Sequence, residues 1–140
     1  MLARAEHTLP TRDYAFEVKW DGFRAIVSTK NGFRARSRRG WDMTPLIPEL
    51  ARDDVHGVFD SELVAFDDGV PHFPLVGARM LHGKRHVPVA FAAFDVLALD
   101  GSSTTNLPYR EAARPTRVAR ARRRLSRRCA WMSRTDMPRA

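Results

Sequence analysis

The sequence predicts an α+β fold in which antiparallel β-sheets carry short flanking helices. Two observations lead to this class. Asp-Gly and Asn-Gly pairs separate short runs of alternating apolar and polar residues, a pattern typical of β-hairpins. The almost wholly apolar run at residues 89–99 is typical of a strand that is buried on both faces.

Three strands are predicted in the first part of the chain, at residues 14–20, 23–29 and 33–37. Two-residue turns at Asp21-Gly22 and Asn31-Gly32 connect them, because these dipeptides favour the backbone of a tight hairpin. The three strands together form an antiparallel meander.

A short surface helix is predicted next. Thr44 fits its N-cap and Pro45 its first helical position, and the helix is expected to run to Asp53. Its apolar stripe consists of Leu46, Ile47 and Leu50. The remaining predicted elements are a strand at 55–66, a turn at 67–69, a helix at 73–80, a loop at 83–85, a strand at 89–99 ended by Asp100-Gly101, and a helix at 106–113 capped by Asn106.

The segment from Glu17 to Arg24 carries more reactive groups than any other: an amine, two carboxylates and a guanidinium. In the predicted hairpin Lys19 lies across from Arg24, with Cβ atoms roughly 5 Å apart. Two neighbouring cations are destabilising unless an anion lies between them, and phosphate suits an arginine beside a lysine. The hairpin therefore predicts an anion site. The alternative is a solvated strand face on which the charges pair with one another.

The run Lys19-Trp20-Asp21-Gly22-Phe23-Arg24 resembles the first motif of the nucleotidyltransferases that include ATP-dependent DNA ligases and messenger RNA capping enzymes. Other segments resemble bacterial ATP-dependent DNA ligases of the end-joining type, in the order and spacing of that family, from about residue 2 to about residue 111. They are Leu9-Pro10, Ser37-Arg38-Arg39-Gly40, Pro48-Glu49-Leu50, Phe59-Asp60-Ser61-Glu62, in which Ser61 replaces the usual Gly, and Phe91-Ala92-Ala93-Phe94-Asp95.

The resemblance implies a site for ATP and then AMP. It implies that Lys19 attacks the α-phosphorus of ATP and holds AMP, which then passes to a DNA 5′-phosphate before the strand is sealed in DNA repair and recombination. The other implied contacts are Glu17 with the adenine amino group, Arg24 with the ribose and phosphate, Arg38 with the 5′-phosphate of the nicked strand or the nucleotide phosphates, Glu62 with the ribose or a divalent cation, and Phe94 with the adenine ring. Mg²⁺ is the implied metal, and nicked or broken duplex DNA is the implied partner.

The charge of the chain is unevenly distributed. Its formal net charge is +8, but residues 1–109 have a net charge of −1 and residues 110–140 a net charge of +9. Residues 1–113 are expected to be part of an adenylation domain, and residues 114–140 an Arg-rich tail, either disordered or a solvated helix. DNA contacts in the first part must come from local clusters, such as that of Arg34, Arg36, Arg38 and Arg39.

Cysteine content and hydropathy indicate the compartment. Cys129 is the single cysteine, so an intramolecular disulfide is excluded and a reducing compartment is expected. No apolar run reaches the length of about 18 residues that a spanning helix needs, so the protein is predicted to be cytoplasmic.

The sequence offers no candidate for the later motifs of the family, which supply a glutamate and two lysines to the nucleotide, or for the oligonucleotide-binding domain that follows them. We therefore expect the chain alone to be severely impaired or inactive, unless a separate polypeptide supplies the missing half. The alternative from another functional class is a noncatalytic nucleic-acid-binding remnant that relies on its basic tail.

Overall fold

The computed structural model describes residues 19–51 and 56–108. Its elements are β1 (Phe23–Ser28), β2 (Arg34–Ser37), 3₁₀ turns at Thr44–Leu46 and Pro48–Leu50, β3 (Gly57–Val64), β4 (Phe66–Asp67), β5 (Val70–Pro71), α1 (Phe73–His82), β6 (Ala90–Leu99) and β7 (Ser102–Ser103). A five-stranded sheet has the order β2-β1-β3-β6-β7, with every neighbouring pair antiparallel, and β4 and β5 form a separate hairpin. The predicted α+β class with antiparallel sheets is confirmed.

One face of the large sheet carries the hydrophobic core. Directly paired residues of antiparallel strands point to the same face, so the row Phe23, Leu63 and Phe91 crosses three strands on one side. Leu63 is fully buried, and Val76 and Met80 of α1 belong to the same cluster. Burying an aliphatic side chain of this size contributes about 1.5–3 kcal/mol, so α1 is held by its apolar stripe.

The first predicted hairpin is wrong. From Ala25 onward β1 is paired on one edge with β2 and on the other with β3. Lys19 and Trp20 are outside any strand, and neither Asp21 nor Gly22 has the positive φ that a type I′ turn requires. The remainder of the strand predicted at 14–20 lies outside the described residues.

Gly22 meets a different need. A Cβ atom at this position would lie 2.1 Å from the carbonyl oxygen of Leu63, so only a glycine allows the chain to pass this close to β3. A tertiary contact, which local turn chemistry does not reveal, thus explains the Asp-Gly pair. The second turn is found at the predicted place, because Gly32 has φ +83° between β1 and β2. It is not a two-residue hairpin, since residues 29–33 separate the paired Ser28 and Arg34 and Asn31 lacks positive φ.

The predicted helix from Thr44 is also wrong, since two 3₁₀ turns take its place. Thr44 does not cap a helix; its Oγ1 accepts a hydrogen bond of 3.0 Å from the backbone N–H of Ala35. Pro48 disfavours an α conformation at Ile47, which has φ −135° and ψ 46°. Ile47 and Leu50 are nonetheless buried, as the apolar stripe predicted, and the expected end at Asp53 lies outside the described residues.

The later predicted strands and the helix at 73–80 are found with small shifts at their ends, whereas the short strands β5 and β7 were not predicted. The strand predicted at 55–66 divides at Ala65 into β3 and β4, and α1 continues to His82, where Gly83 ends it with φ +65°. The helix predicted to begin at Asn106 is not found over residues 106–108, which form a turn, and its residues 109–113 lie outside the described residues. Within the described ranges, no helix has both the length and the apolar character needed to cross a membrane.

Replacing Gly22 with alanine is expected to destabilise the fold by about 1–3 kcal/mol, because the added methyl group overlaps the backbone of β3. Gly77→Ala is the matched control: it lies inside α1 with no atom within 4 Å of an added Cβ, so it should gain about 0.5–1 kcal/mol. Urea unfolding monitored by circular dichroism measures both. Equal stability of Gly22→Ala and the unsubstituted chain would contradict the close approach.

Candidate functional site

The sheet face opposite the core carries a compact group of charged side chains. Arg24 on β1 lies directly across from Glu62 on β3, and Asp60 lies two residues before Glu62 on the same strand. Since side chains alternate between the faces of a strand, all three project to the side away from Leu63. The sheet thus separates an apolar face from an ionic one.

Arg24 and Asp60 form a bidentate ion pair. Arg24 Nε donates to Asp60 Oδ1 at 3.0 Å, and Arg24 Nη2 donates to Oδ2 at 2.5 Å. The hydrogen bond to Asp60 raises the pKa of Arg24, with the charges of Asp60 and Glu62 acting in the same direction. The side chain of Asp60 is only 10% exposed, so the guanidinium is held in one orientation over the sheet.

Phe94 stands beside this guanidinium because of a β-bulge. Ser61 pairs with Ala93 and Asp60 pairs with Asp95, so Phe94 is an extra, unpaired residue in β6. The Cζ atom of Arg24 lies 5.6 Å from the centre of the Phe94 ring. Bulges redirect side chains and are frequent beside active sites. The result is an aromatic ring and a fixed cation side by side.

Glu62 is half-buried next to the segment that carries Lys19. Burial raises the pKa of Glu62, while the backbone N–H of Gly22 and the charge of Arg24 act in the opposite direction. A Cβ on Gly22 would lie 3.1 Å from the Cγ of Glu62, which shows how closely the two residues pack. Glu62 therefore lies where the Lys19 segment meets the sheet.

Lys19 is exposed, three residues before Gly22. Trp20 anchors this segment, because its ring meets that of Phe66 edge-on at 6.5 Å. The predicted cross-strand pair of Lys19 and Arg24, with an anion between them, is wrong, since Arg24 faces Glu62 across the strands and binds Asp60. The contact of this segment with the ionic face is made at Gly22, beside Glu62.

The other predicted site residues are less closely associated. Arg38 stands apart, exposed in the turn that follows β2, and Glu17 lies outside the described residues. Ser61, where the family usually has Gly, is fully buried in β3 and donates a hydrogen bond of 2.9 Å to the carbonyl of Ala25. Its backbone does not have positive φ, so the strand does not require a glycine there.

Two contributors were not recognised from the sequence. Asp60 was given no role of its own, although its alternation with Glu62 is the signal that places both on one face. Arg79 is 3% exposed and donates to the Leu46 carbonyl at 2.7 Å, to Glu49 Oε1 at 2.6 Å and to the Arg85 carbonyl. It holds the 3₁₀ turns against the end of α1, and its position between Val76 and Met80 on an apolar helix face could have indicated burial.

The carboxylates of the ionic face suit a metal ion that is bound jointly by protein and substrate, and not one that is bound by protein side chains alone. No group of three or more His, Cys, Asp or Glu side chains that could hold a metal occurs in the part of the chain that the structure describes. Mg²⁺ is commonly bound through one or two carboxylates together with substrate phosphates and water. Glu62, whose side chain is partly buried on the ionic face, fits a site of that kind.

Comparison with known proteins identifies the class. The sequence model described as "ATP dependent DNA ligase domain" matches residues 2–117. The chain belongs to the ATP-dependent DNA ligase family. Within that family it is similar to bacterial end-joining ligases, and the resemblance inferred from the motifs is confirmed.

Individual relatives show how much of such a ligase the chain covers. It is 41% identical over 110 residues to the Mycobacterium tuberculosis multifunctional non-homologous end joining DNA repair protein LigD, a match that spans 74% of this chain and 14% of LigD. It is 32% identical over 137 residues to DNA ligase C2 of Mycolicibacterium smegmatis, across 86% of this chain and 38% of that protein.

Solved structures give the same result. The crystal structure of the ligase domain of M. tuberculosis LigD superposes with a TM-score of 0.59 at 38% identity, over 69% of this chain and 33% of that one. A mycobacterial DNA ligase D complexed with ATP and MES gives a TM-score of 0.58 at 36% identity, over the same shares of the two chains. The chain therefore spans about a third of the ligase-domain structures it matches.

Asp60→Asn should lower the free energy of unfolding by about 1–3 kcal/mol, because it removes the charged partner of the Arg24 guanidinium. Asp67→Asn provides the control, since Asp67 is an exposed carboxylate in the β4–β5 hairpin and should change stability by less than about 0.5 kcal/mol. Urea unfolding at neutral pH compares them. Equal losses in both variants would show that the bidentate pair adds nothing.

Glu62→Gln should gain stability relative to the unsubstituted chain as the pH rises. Burial raises the pKa of Glu62 in the folded state, and an unfolded glutamate has a pKa of about 4.3. Protonated Glu62 is therefore favoured by folding, and this contribution is present below the unfolded pKa and lost as pH passes the folded one. Unfolding curves from pH 4 to pH 8 measure the difference between the two proteins. Parallel pH profiles would contradict a raised pKa.

Proposed function

We propose that this chain forms the nucleotide-binding sheet of a ligase adenylation domain, with a nucleotidyltransferase (ATP-grasp-like) core in residues 1–113. The observation that supports this most directly is the convergence of the Lys19 segment, Glu62, Arg24 and Phe94 at one end of the ionic face. Membership of the ATP-dependent DNA ligase family supports the same assignment. The reaction is the joining of DNA strands through an adenylated lysine.

In the first step the amine of Lys19 attacks the α-phosphorus of ATP. A nitrogen–phosphorus bond forms, the bond from that phosphorus to the bridging oxygen breaks, and pyrophosphate leaves with the electron pair while the amine loses a proton. Gly22 against β3 and Trp20 against Phe66 support this role, because they hold the chain on both sides of Asp21 and leave the Lys19 amine exposed. A positioned amine has less motion to lose on reaching the transition state.

The nucleoside lies along the ionic face. Phe94 stacks on the adenine, Arg24 contacts the ribose and phosphate, and Glu62 binds the ribose or the metal. The Asp60 carboxylate supports the role of Arg24, because it fixes the guanidinium in advance and so lowers the entropic cost of binding. Glu17, which lies outside the described residues, is proposed to contact the adenine amino group.

Mg²⁺ supplies, when bound, neutralisation of the triphosphate and of the charge that develops during transfer. Glu62 would hold it jointly with the phosphates. The mycobacterial DNA ligase D that superposes on this chain was crystallised with ATP, which supports ATP as the nucleotide here.

The AMP group is then passed to the 5′-phosphate of a nicked or broken duplex, and the strand is sealed when a 3′-hydroxyl displaces AMP. Arg38 is proposed to contact that 5′-phosphate. The end-joining repair named for the mycobacterial relative supports a role in DNA repair. The noncatalytic alternative based on residues 114–140 is not favoured by the comparisons, and those residues lie outside the described part of the chain.

The chain by itself is proposed to be severely impaired or inactive, because complete ligase domains contain about three times the matched length. Loss of a single group that stabilises transition-state charge commonly costs about 100-fold or more in rate. Adenylation of the isolated chain should therefore be at least about 100-fold slower than that of a complete ligase domain.

Incubation with ATP labelled at the α-phosphate, together with Mg²⁺, tests the proposal. Residual label should be found on Lys19, should disappear in Lys19→Ala, and should persist in Lys30→Ala, which removes an exposed lysine beyond the far end of β1. Peptide mapping by mass spectrometry locates the adenylate. Label that persists in Lys19→Ala would reject Lys19 as the nucleophile, and labelling as fast as that of a complete domain would reject the impairment.

A further inference from the structure

Three aromatic rings lie together where β1 begins, and the proposed nucleotide site uses none of them. The Phe23 ring stacks on that of Phe73 with centroids 5.4 Å apart and meets that of Trp41 edge-on at 6.3 Å. Trp41 is 39% exposed and Phe73 is 40% exposed. We call Phe23, Trp41 and Phe73 the aromatic platform. Because Phe23 pairs with Leu63, the platform lies on the side of the sheet opposite Arg24 and Glu62.

The position of Trp41 is fixed by a tight turn. The backbone N–H of Trp41 donates to Ser37 Oγ at 3.1 Å, and its carbonyl accepts from the Ser37 N–H at 2.9 Å. Gly40, with φ +81°, closes the turn by donating to the Ser37 carbonyl at 2.9 Å. Because these hydrogen bonds already order the backbone at Trp41, little conformational entropy is lost there when a ligand stacks on its exposed ring.

Two exposed arginines, Arg38 and Arg39, lie in the turn that leads from β2 to Trp41. Arg39 and Trp41 are two residues apart, so their Cα atoms lie within about 7 Å. The nearby Asp42 carboxylate is already engaged, since it accepts a hydrogen bond of 3.0 Å from the backbone N–H of Thr44. The arginines within β2 itself project to the ionic face, because their partners on β1 lie on the same side as Arg24.

We propose that the aromatic platform stacks on an accessible nucleobase of the DNA substrate, while phosphates of the same strand lie on Arg38 and Arg39. Exposed rings beside arginines form the combination that binds unpaired nucleic acid, because bases have π faces and phosphates attract guanidinium groups. The two exposed arginines beside Trp41 favour a phosphate-bearing partner, DNA, over a protein on this surface. The inference rests on the proposed ligase function and adds to it a preference for gaps, overhangs or frayed ends over continuous duplex.

Fluorescence anisotropy of the full chain with two labelled DNA probes tests this inference. One probe is a duplex closed by hairpin loops of abasic spacers, and the other is the same duplex with a single-stranded overhang. Trp41→Leu should weaken binding of the overhang probe about ten-fold and leave the closed probe unchanged, whereas Trp41→Phe should bind both as the unsubstituted chain does. Arg38→Ala with Arg39→Ala should weaken binding of both probes and reduce the salt dependence by about two phosphate contacts.

Leu81→Ala is the matched control, because Leu81 is a 62% exposed hydrophobic residue on α1 outside the platform, and it should bind both probes normally. Circular dichroism verifies folding, and Phe73→Leu provides a second variant of the platform with the same expected loss. Unchanged overhang binding in both platform variants would overturn the inference, as would failure of the unsubstituted chain to bind the overhang probe.

The adenylation assay without DNA keeps the two proposals separate. Trp41→Leu should be labelled on Lys19 as the unsubstituted chain is, because the platform lies on the other face of the sheet. Label that persists in Lys19→Ala, together with a retained overhang preference, would reject the adenylation mechanism and support the platform. Label on Lys19 of the unsubstituted chain, with no effect of the platform variants on overhang binding, would support the adenylation mechanism and reject the platform.

Discussion

The close passage of Gly22 across β3 is the constraint on which the ionic face depends. With no side chain at this position, the backbone lies against the carbonyl of Leu63 and beside the side chain of Glu62. That contact brings the Lys19 segment to the sheet, and Gly22 presents an N–H to the Glu62 carboxylate. A single methyl group would separate the candidate nucleophile from the strand that carries the other candidate groups. The geometry of the candidate site thus depends on a steric condition in the backbone.

On the ionic face, the charged group that is nearly buried has a partner of opposite charge. Asp60 is nearly buried and would be costly alone, but two hydrogen bonds from Arg24 compensate it. The guanidinium in turn lies near the Phe94 ring, a contact worth about 0.5–1 kcal/mol at partly exposed sites. Glu62 keeps a raised pKa because its neighbours only partly offset its burial. The pair, the ring and the carboxylate therefore depend on one another.

Local signals were sufficient for most of the fold. The turn at Asn31-Gly32, the helix α1 and the apolar run of β6 each depend on residues close together in the chain, and each was predicted. The helix expected from Thr44 failed because Pro48 interrupts it and because the Thr44 hydroxyl is taken by β2. The hairpin at Asp21-Gly22 failed because a contact across about forty residues, with Leu63, outweighs turn propensity.

The candidate site shows the same division. Lys19, Arg24, Glu62 and Phe94 were named from the motifs, but their arrangement required the register of three strands. The bulge that leaves Phe94 unpaired arises from the register of β3 with β6, and no local sequence signal near Phe94 indicates it. The Arg24–Asp60 pair likewise depends on which strand lies beside β1. Pattern and composition identify chemical groups, whereas long-range pairing decides which of them meet.

Arg79 has a mechanical consequence for the protein. A planar guanidinium can bridge acceptors on separate segments, and here it joins the carbonyl of Leu46 to that of Arg85. Arg79 therefore links the 3₁₀ turns that follow β2 to the loop that follows α1. Through this one side chain, the position of the 3₁₀ turns is coupled to that of the loop after α1.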